Sequence, residues 1–247
     1  MAQLKYHDGD RFRDAPKFRE LPEPVGDPLF WWPLHAGYQS ETTGFGQGTI
    51  YGAQWRRGNY AGGWGLNFDG VDDGVFTSEW EKFITDAEAH SIVLTLDSAP
   101  ESNQSTFTRI INSTGTETDL DYQYTLRANY GNDAGIFRFQ DEEGNRSSIQ
   151  FNSDILHGEK KRLVFNFDPQ NPDESSIWVN RDEEQYTVTS DETPSTFDGV
   201  NETWFMNNKR QDRGHKGVLD NVIIYNRMLS EDEVKEDYRR QPWSEVS

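Results

Sequence analysis

From Leu29 onward, short apolar runs alternate with turn residues, and within the runs apolar positions recur at every second residue. In Ile92-Val93-Leu94-Thr95-Leu96, residues 92, 94 and 96 share one face; in Leu163-Val164-Phe165-Asn166-Phe167, residues 163, 165 and 167 do the same. Successive side chains leave a strand on opposite sides, so a period of two marks a strand with one packed face. The pattern predicts strands over Trp64–Asp69, Ser91–Asp97, Thr106–Asn112, Tyr122–Ala128, Gly135–Gln140, Arg162–Asp168, Ser176–Asn180, Glu184–Thr189, Thr203–Asn207 and Val218–Asn226. So many strands at this spacing build an all-β fold, a two-sheet antiparallel sandwich of the jelly-roll kind. No break in composition and no internal repeat divides the run, so residues 28–241 read as one domain.

Two segments depart from the alternation. Ser230-Glu231-Asp232-Glu233 has the form of a capping box, in which the Ser230 hydroxyl accepts from the Glu233 amide and Glu233 reaches back. Leu229 and Val234 are spaced as a hydrophobic staple, and Pro242 sets the end. A short C-terminal helix packed on one sheet edge is expected there, followed by a tail over 242–247. At the other end, residues 1–27 are polar and carry Pro16, Pro22 and Pro24, which bars a useful helix or a central strand. Phe12, Phe18 and Leu21 give this stretch apolar anchors, so it reads as an extended attachment arm.

Composition narrows the function. Among 247 residues, 43 acids face 24 basic residues, for a net charge of −19. That balance argues against nucleic acid and anionic membrane surfaces as partners. The cysteine count is 0, which removes disulfides, Cys-ligated zinc and thiol chemistry. No window is apolar enough to insert in a membrane, and the N-terminus has no secretory pattern. Lysines number 8 against 16 arginines. Scarce lysine, abundant acid and absent cysteine together suggest a surface adapted to molar salt, where the Debye length falls to about 3 Å and clustered carboxylates repel little.

Three segments carry a family resemblance: Leu29-Phe30-Trp31-Trp32-Pro33-Leu34 with Gly48–Trp55; Gly65-Leu66-Asn67-Phe68-Asp69-Gly70-Val71-Asp72-Asp73-Gly74-Val75; and Gly217-Val218-Leu219-Asp220-Asn221-Val222-Ile223-Ile224-Tyr225-Asn226-Arg227-Met228-Leu229-Ser230-Glu231-Asp232-Glu233-Val234. Their order and spacing resemble the laminin-G-like, concanavalin A-like lectin/glucanase superfamily over about residues 28–240. The resemblance implies a jelly roll whose members mostly bind glycans or proteins, with a minority hydrolysing polysaccharides. It also implies a structural Ca²⁺ near Asp69, Asp72, Asp73 and Asp220, although Gln39–Gly44 lacks the Asp and Asn that relatives supply. Asp69-Gly70 and Asp73-Gly74 read as turn pairs on their own account.

Hydrolysis needs two carboxylates about 5–5.5 Å apart in a retaining enzyme. The nearest stretch is Glu117-Thr118-Asp119-Leu120-Asp121-Tyr122, where Tyr122 stands in place of the second Glu of the family pattern. No catalytic residue is assigned. The histidines, 7, 35, 90, 157 and 215, show no zinc spacing and read as surface or turn residues. Binding is the leading reading, because sugars stack on aromatic faces while Arg and Asn satisfy their polar groups. Tyr122, Tyr124, Arg127, Arg138, Trp178, Trp204 and Arg210 are the contact candidates, with Tyr130 beside them. Arg210 belongs to Asn207–Lys216, the one basic patch in an acidic chain.

A lectin-like domain without an export signal suits a virion, which leaves its host by lysis. The expectation is a non-enzymatic virion surface component of a halophilic archaeal virus, a turret, decoration or tail-fibre protein. Its partners would be host glycans or other virion proteins, and it would be a homo-oligomer. The alternatives are a carbohydrate-binding module of a secreted haloarchaeal protein and a polysaccharide hydrolase.

Overall fold

Two antiparallel eight-stranded sheets enclose one apolar core. The structure is a computed structural model that describes residues 23–32, 49–60, 63–77, 87–115, 124–141, 143–195, 200–208, 210–241 and 243. The expectations for residues 1–22 of the arm, for Gln39–Gly44, for Glu117–Tyr122 with its contact candidate Tyr122, and for most of the tail lie outside the described residues.

The first sheet runs in the order β13 (Asp182–Glu184), β12 (Ser176–Val179), β11 (Lys161–Phe167), β6 (His90–Ser98), β16 (Gly217–Tyr225), β4 (Trp64–Phe68), β3 (Gln54–Arg57). β1 (Phe30–Trp32) also pairs with β16. The second runs β14 (Tyr186–Asp191), β10 (Arg146–Asn152), β9 (Ala134–Gln140), β8 (Tyr124–Asn129), β7 (Phe107–Gly115), β15 (Val200–Phe205), β5 (Gly74–Thr77), β2 (Thr49–Tyr51). All ten strands expected from the alternation are present. The six further strands are short, polar or at edges, where no apolar stripe announces them.

The inward faces interdigitate as the period-two pattern requires. Leu66, Phe68, Ile92, Leu94, Leu163, Phe165 and Leu219 of the first sheet meet Ile111, Leu126, Phe137, Phe139, Ile149 and Phe205 of the second. The first sheet is buried on its other face as well, which corrects the expectation of one packed face per sheet. Val93, Val164, Trp178, Ile223 and Tyr225 point outward and are covered by Leu229 and Val234. The helix α1 (Glu231–Arg239) therefore lies over the middle of the sheet rather than on its edge. The physical reason is that the outward residues of β6, β11, β12 and β16 are themselves apolar and need a cover.

The helix begins as the sequence predicts. Ser230 caps it, with both halves of the capping box formed. The Arg227 guanidinium, donating at 2.6 and 2.8 Å, holds the Glu233 carboxyl down at about 2, with Ser230 adding to the effect. Underneath, Arg162 is fully buried and forks onto Asp237 of the helix, Nε to Oδ2 at 2.6 Å and Nη2 to Oδ1 at 2.9 Å. Its Nη1 donates to Thr95 Oγ1 at 3.1 Å and to the Asn221 carbonyl at 3.2 Å. Removing one member would strand the other charge in the interior. Arg162→Met is expected to cost about 3–5 kcal/mol, and Arg162→Met with Asp237→Leu less than that, as read by urea denaturation.

Two histidines expected at the surface are interior. His90 Nδ1 donates to the Glu88 carbonyl at 2.8 Å, which leaves Nε2 to accept from the Tyr124 hydroxyl at 2.7 Å. His215 bonds Ser98 Oγ at 2.8 Å and Thr108 Oγ1 at 3.0 Å. Burial pushes His90 down to about 4; burial and the neighbouring His157 push His215 down to about 3. Both are thus neutral in the folded chain, while the unfolded chain takes up their protons below about 6.5. Their contribution is complete above that value and is lost as pH falls towards 4. The urea midpoint is expected to drop between about pH 7 and about pH 5, before carboxylates titrate; an unchanged midpoint would count against this account.

Candidate functional site

The register Phe205↔Val75 brings the end of β15 beside the start of β5, so the loop 206–216 and the loop 69–73 meet at one corner of the sandwich. Asn207, fully buried, joins them. Its Oδ1 accepts from the amides of Asn208 at 2.9 Å and Arg213 at 3.1 Å. Its Nδ2 donates to the carbonyls of Asp73 at 3.0 Å and Val71 at 3.3 Å. Asn208 closes the tip: Nδ2 donates to Asp212 Oδ1 at 2.8 Å, while Oδ1 and the carbonyl accept from the amides of Asp212 and Gln211. The chain turns through positive φ at Met206 and Gln211. Gly214 packs against the Gly70 backbone, where a Cβ would stand 2.5 Å from the Gly70 carbonyl carbon.

On this scaffold Arg210, Arg213 and Lys216 are exposed. Arg213 lies over the ring of Phe107 at 5.6 Å. The exposed large hydrophobics among the described residues are Tyr51, Val71 and Phe107, and all three flank this corner. Tyr51 leads into a stack along the sheet: its ring is 5.6 Å from Phe76 and 5.4 Å from Trp204, and Phe76 and Trp204 stack at 5.3 Å. Gly74 is in β5 rather than in a turn. A side chain there would press on the Trp204 ring, so its small size, not positive φ, is what the corner uses. Gly70, at φ +83, is the turn glycine of the pair.

The contact candidates separate. Trp204, itself buried, packs beneath Tyr51 in the corner stack, and Arg210 stands on its basic loop. Arg127 and Arg138 share the outward face of the second sheet, where the row Trp204, Asn112, Thr125, Arg138 is in register and Arg109 pairs with Arg127. Tyr124 and Trp178 are corrected to packing residues. Tyr124 lies wholly in the core against Phe137 and Phe139. Trp178 sits beneath the helix layer and donates to Ser176 Oγ at 3.0 Å. Tyr130 is likewise buried. Sequence reasoning missed Tyr51, Phe76 and Phe107; Gly74 facing the Trp204 ring is the one signal that bears on the stack.

The carboxylates named for calcium separate too. Oxygens of Asp69, Asp72 and Asp73 lie within 4.8 Å of one another. Asp220 is not of that group: it is buried in β16, and its charge acts on Tyr60 and Lys160. Asp73 Oδ2 accepts from the Asp69 amide and Asp69 Oδ1 from the Val71 amide, both at 2.7 Å. Burial first, then the neighbouring Asp69 and Asp72 charges, raise the Asp73 carboxyl above its ordinary range. With these oxygens and two carbonyls already engaged, the loop offers Ca²⁺ fewer than the six to eight oxygens it takes. The residues fit a self-satisfied turn better than a calcium cage.

The scaffold predicts its own failure. Asn207→Ala orphans two carbonyls and two amides, at about 1–3 kcal/mol for each group left buried. Hydrogen exchange is expected to accelerate at the Asn208 and Arg213 amides with the sheet amides unchanged.

No protein-family model matches the chain, and no curated protein matches it. Solved structures share its fold. The binding domain of botulinum neurotoxin serotype G superposes with a TM-score of 0.65 at 12% identity, over 87% of this chain and 51% of that one. The ligand-binding domain of botulinum neurotoxin serotype D, in complex with N-acetylneuraminic acid, gives 0.63 at 12% identity over the same shares. The binding domain of Paraclostridial Mosquitocidal Protein 1 gives 0.64 at 13%, over 86% and 52%. The chain spans about half the length of these proteins, and at such identities the likeness is one of fold.

Proposed function

We propose that the chain is a non-enzymatic binding domain that recognises glycans carrying acidic groups through the corner of loops 69–73 and 206–216. One observation carries the reading: an exposed Phe107–Arg213 pair and two further basic side chains, Arg210 and Lys216, stand on a loop pinned by Asn207, in a chain of net charge −19. A planar guanidinium matches a carboxylate or sulfate in two hydrogen bonds, while an exposed ring accepts the apolar face of a sugar. The serotype D domain in its complex holds an acidic sugar, which supports the same ligand class here.

The setting we propose is the surface of a halophilic virion, as a homo-oligomer among other virion proteins. Its support is the acid-rich, lysine-poor composition.

A panel of sialylated, sulfated and neutral oligosaccharides tests the reading. Acidic members are expected to bind, and Arg210→Ser with Arg213→Ser to weaken them about tenfold or more, since each lost charge-assisted bond removes about 1.5–3 kcal/mol. Phe107→Ser should weaken acidic and neutral sugars alike. Equal binding of acidic and neutral sugars, unchanged in the arginine variant, would overturn it.

A further inference from the structure

A second group of ligating side chains lies outside that corner. Glu101 stands in the short turn Glu101–Asn103 that follows β6; Asp154 stands in the turn Ser153–Leu156 that follows β10, and His157 is the next residue after it. β6 belongs to the first sheet and β10 to the second, so the group spans the two layers. The Gly158 amide donates to the Ala99 carbonyl at 3.4 Å and keeps the two turns together.

We propose that Glu101, Asp154 and His157 form a site for a divalent transition-metal ion of the Zn²⁺ type. His157 Nε2 is 3.2 Å from Asp154 Oδ1 and 3.8 Å from Glu101 Oε2, and the three ligand atoms lie within 4.8 Å of one another. An ion bound at about 2.0–2.2 Å separates its ligands by about 3.0–3.6 Å, so a small closure of Glu101 completes the set. One imidazole with two carboxylates suits Zn²⁺ or its neighbours; Ca²⁺ prefers an all-oxygen shell.

The support around the group resembles an outer ligand shell. Asn152 Oδ1 accepts from the Asp154 amide at 2.9 Å, and its Nδ2 donates to Asp154 Oδ2 at 3.2 Å, which leaves Oδ1 facing His157. Lys161 Nζ donates to the carbonyls of Asp154 at 2.6 Å and His157 at 2.8 Å, so the turn is clamped without using the ligand oxygens. The ring of Tyr130 meets the His157 ring edge-on at 5.3 Å and fixes its plane. The Tyr130 hydroxyl is buried beside Thr108, where it feels the Glu101 charge. The side chains of Asp154 and Glu101 are 66% and 44% exposed, which opens the site to solvent. The Glu101 turn is also tied to the glycan corner. Gln104 Nε2 donates to the Lys216 carbonyl at 2.7 Å, and the Lys216 amide donates to Gln104 Oε1 at 2.9 Å.

The test uses the full chain, freed of metal by chelation and titrated with ZnCl₂, CoCl₂ or CaCl₂. Zn²⁺ is expected to bind one saturable site and to raise the melting temperature, because it links the two sheets. Co²⁺ should develop the visible spectrum of an ion with a nitrogen ligand. His157→Gln and Glu101→Gln should each weaken Zn²⁺ binding at least tenfold; the second replaces a half-exposed side chain by one of the same shape and leaves folding intact. Asn152→Ala should weaken it about tenfold as an outer-shell change. Ca²⁺ at equal concentration should leave the melting temperature unchanged. Zn²⁺ binding that survives His157→Gln would assign it to the acidic surface. Absence of saturable binding would leave His157 as a hydrogen-bond partner of Asp154 beside Glu101. Either result overturns the proposal.

Discussion

β16 is buried at all nine of its positions, and the rest of the first sheet is arranged around that constraint. A strand buried on both faces must find a cover for each and a partner on each edge. The core supplies one cover and α1 the other. One edge is filled by β6; the other is shared, with β4 on Gly217–Leu219 and β1 on Val222–Ile224. The handover falls at the irregularity between Asp220 and Ile223, where Asn221 adopts φ +57 and receives the Trp31 indole at 2.7 Å. Asparagine tolerates that conformation better than most residues, so the break in register has a residue fitted to it.

The helix cover is secured by polar contacts as much as by apolar ones. Ser91 Oγ and Asn166 Oδ1 both accept from the Leu229 amide at 3.0 Å, and Asn166 Nδ2 donates to the Leu229 carbonyl at 2.8 Å. With Arg162 and Asp237 these groups fix the position of the helix on a surface of Val93, Val164 and Ile223 that would otherwise let it slide. The buried acids among the described residues are all aspartates: Asp73, Asp141, Asp168, Asp220 and Asp237. The acid excess is therefore not confined to solvation. Asp141 accepts from Ser195 and Asn145, and Asp168 from the amides of Gln170 and Asn171, a use of short carboxylates that glutamate serves less well.

Much of the fold was legible because burial on a sheet leaves a period-two trace, as Ile92–Leu96 and Leu163–Phe167 do. β10 was illegible because Ser147 and Ser148 dilute its Ile149 and Phe151, and β13 because Asp182–Glu184 is a polar edge. Alternation also cannot tell which face of a sandwich is inward, which is why Tyr124 read as a contact group. The capping box was legible because it is local. The corner was partly so: its basic loop stands out in the charge pattern, but the work of Asn207 depends on Val71 and Asp73, far away in the chain. Glu101 and His157 meet only because β6 and β10 end on the same side, which no spacing records.

The loop 206–216 separates two tasks. Its shape is held by inward groups, Asn207, Asn208, Gly214 and the turn at Met206, while Arg210, Arg213 and Lys216 present exposed side chains. Outward residues can therefore be exchanged without unfolding the corner. A lineage under pressure to change its ligand could rewrite specificity there a residue at a time, with little loss of stability at each step. The groups that hold the corner, Asn207 and Asn208, are fixed before a partner arrives, so association forfeits little conformational entropy there.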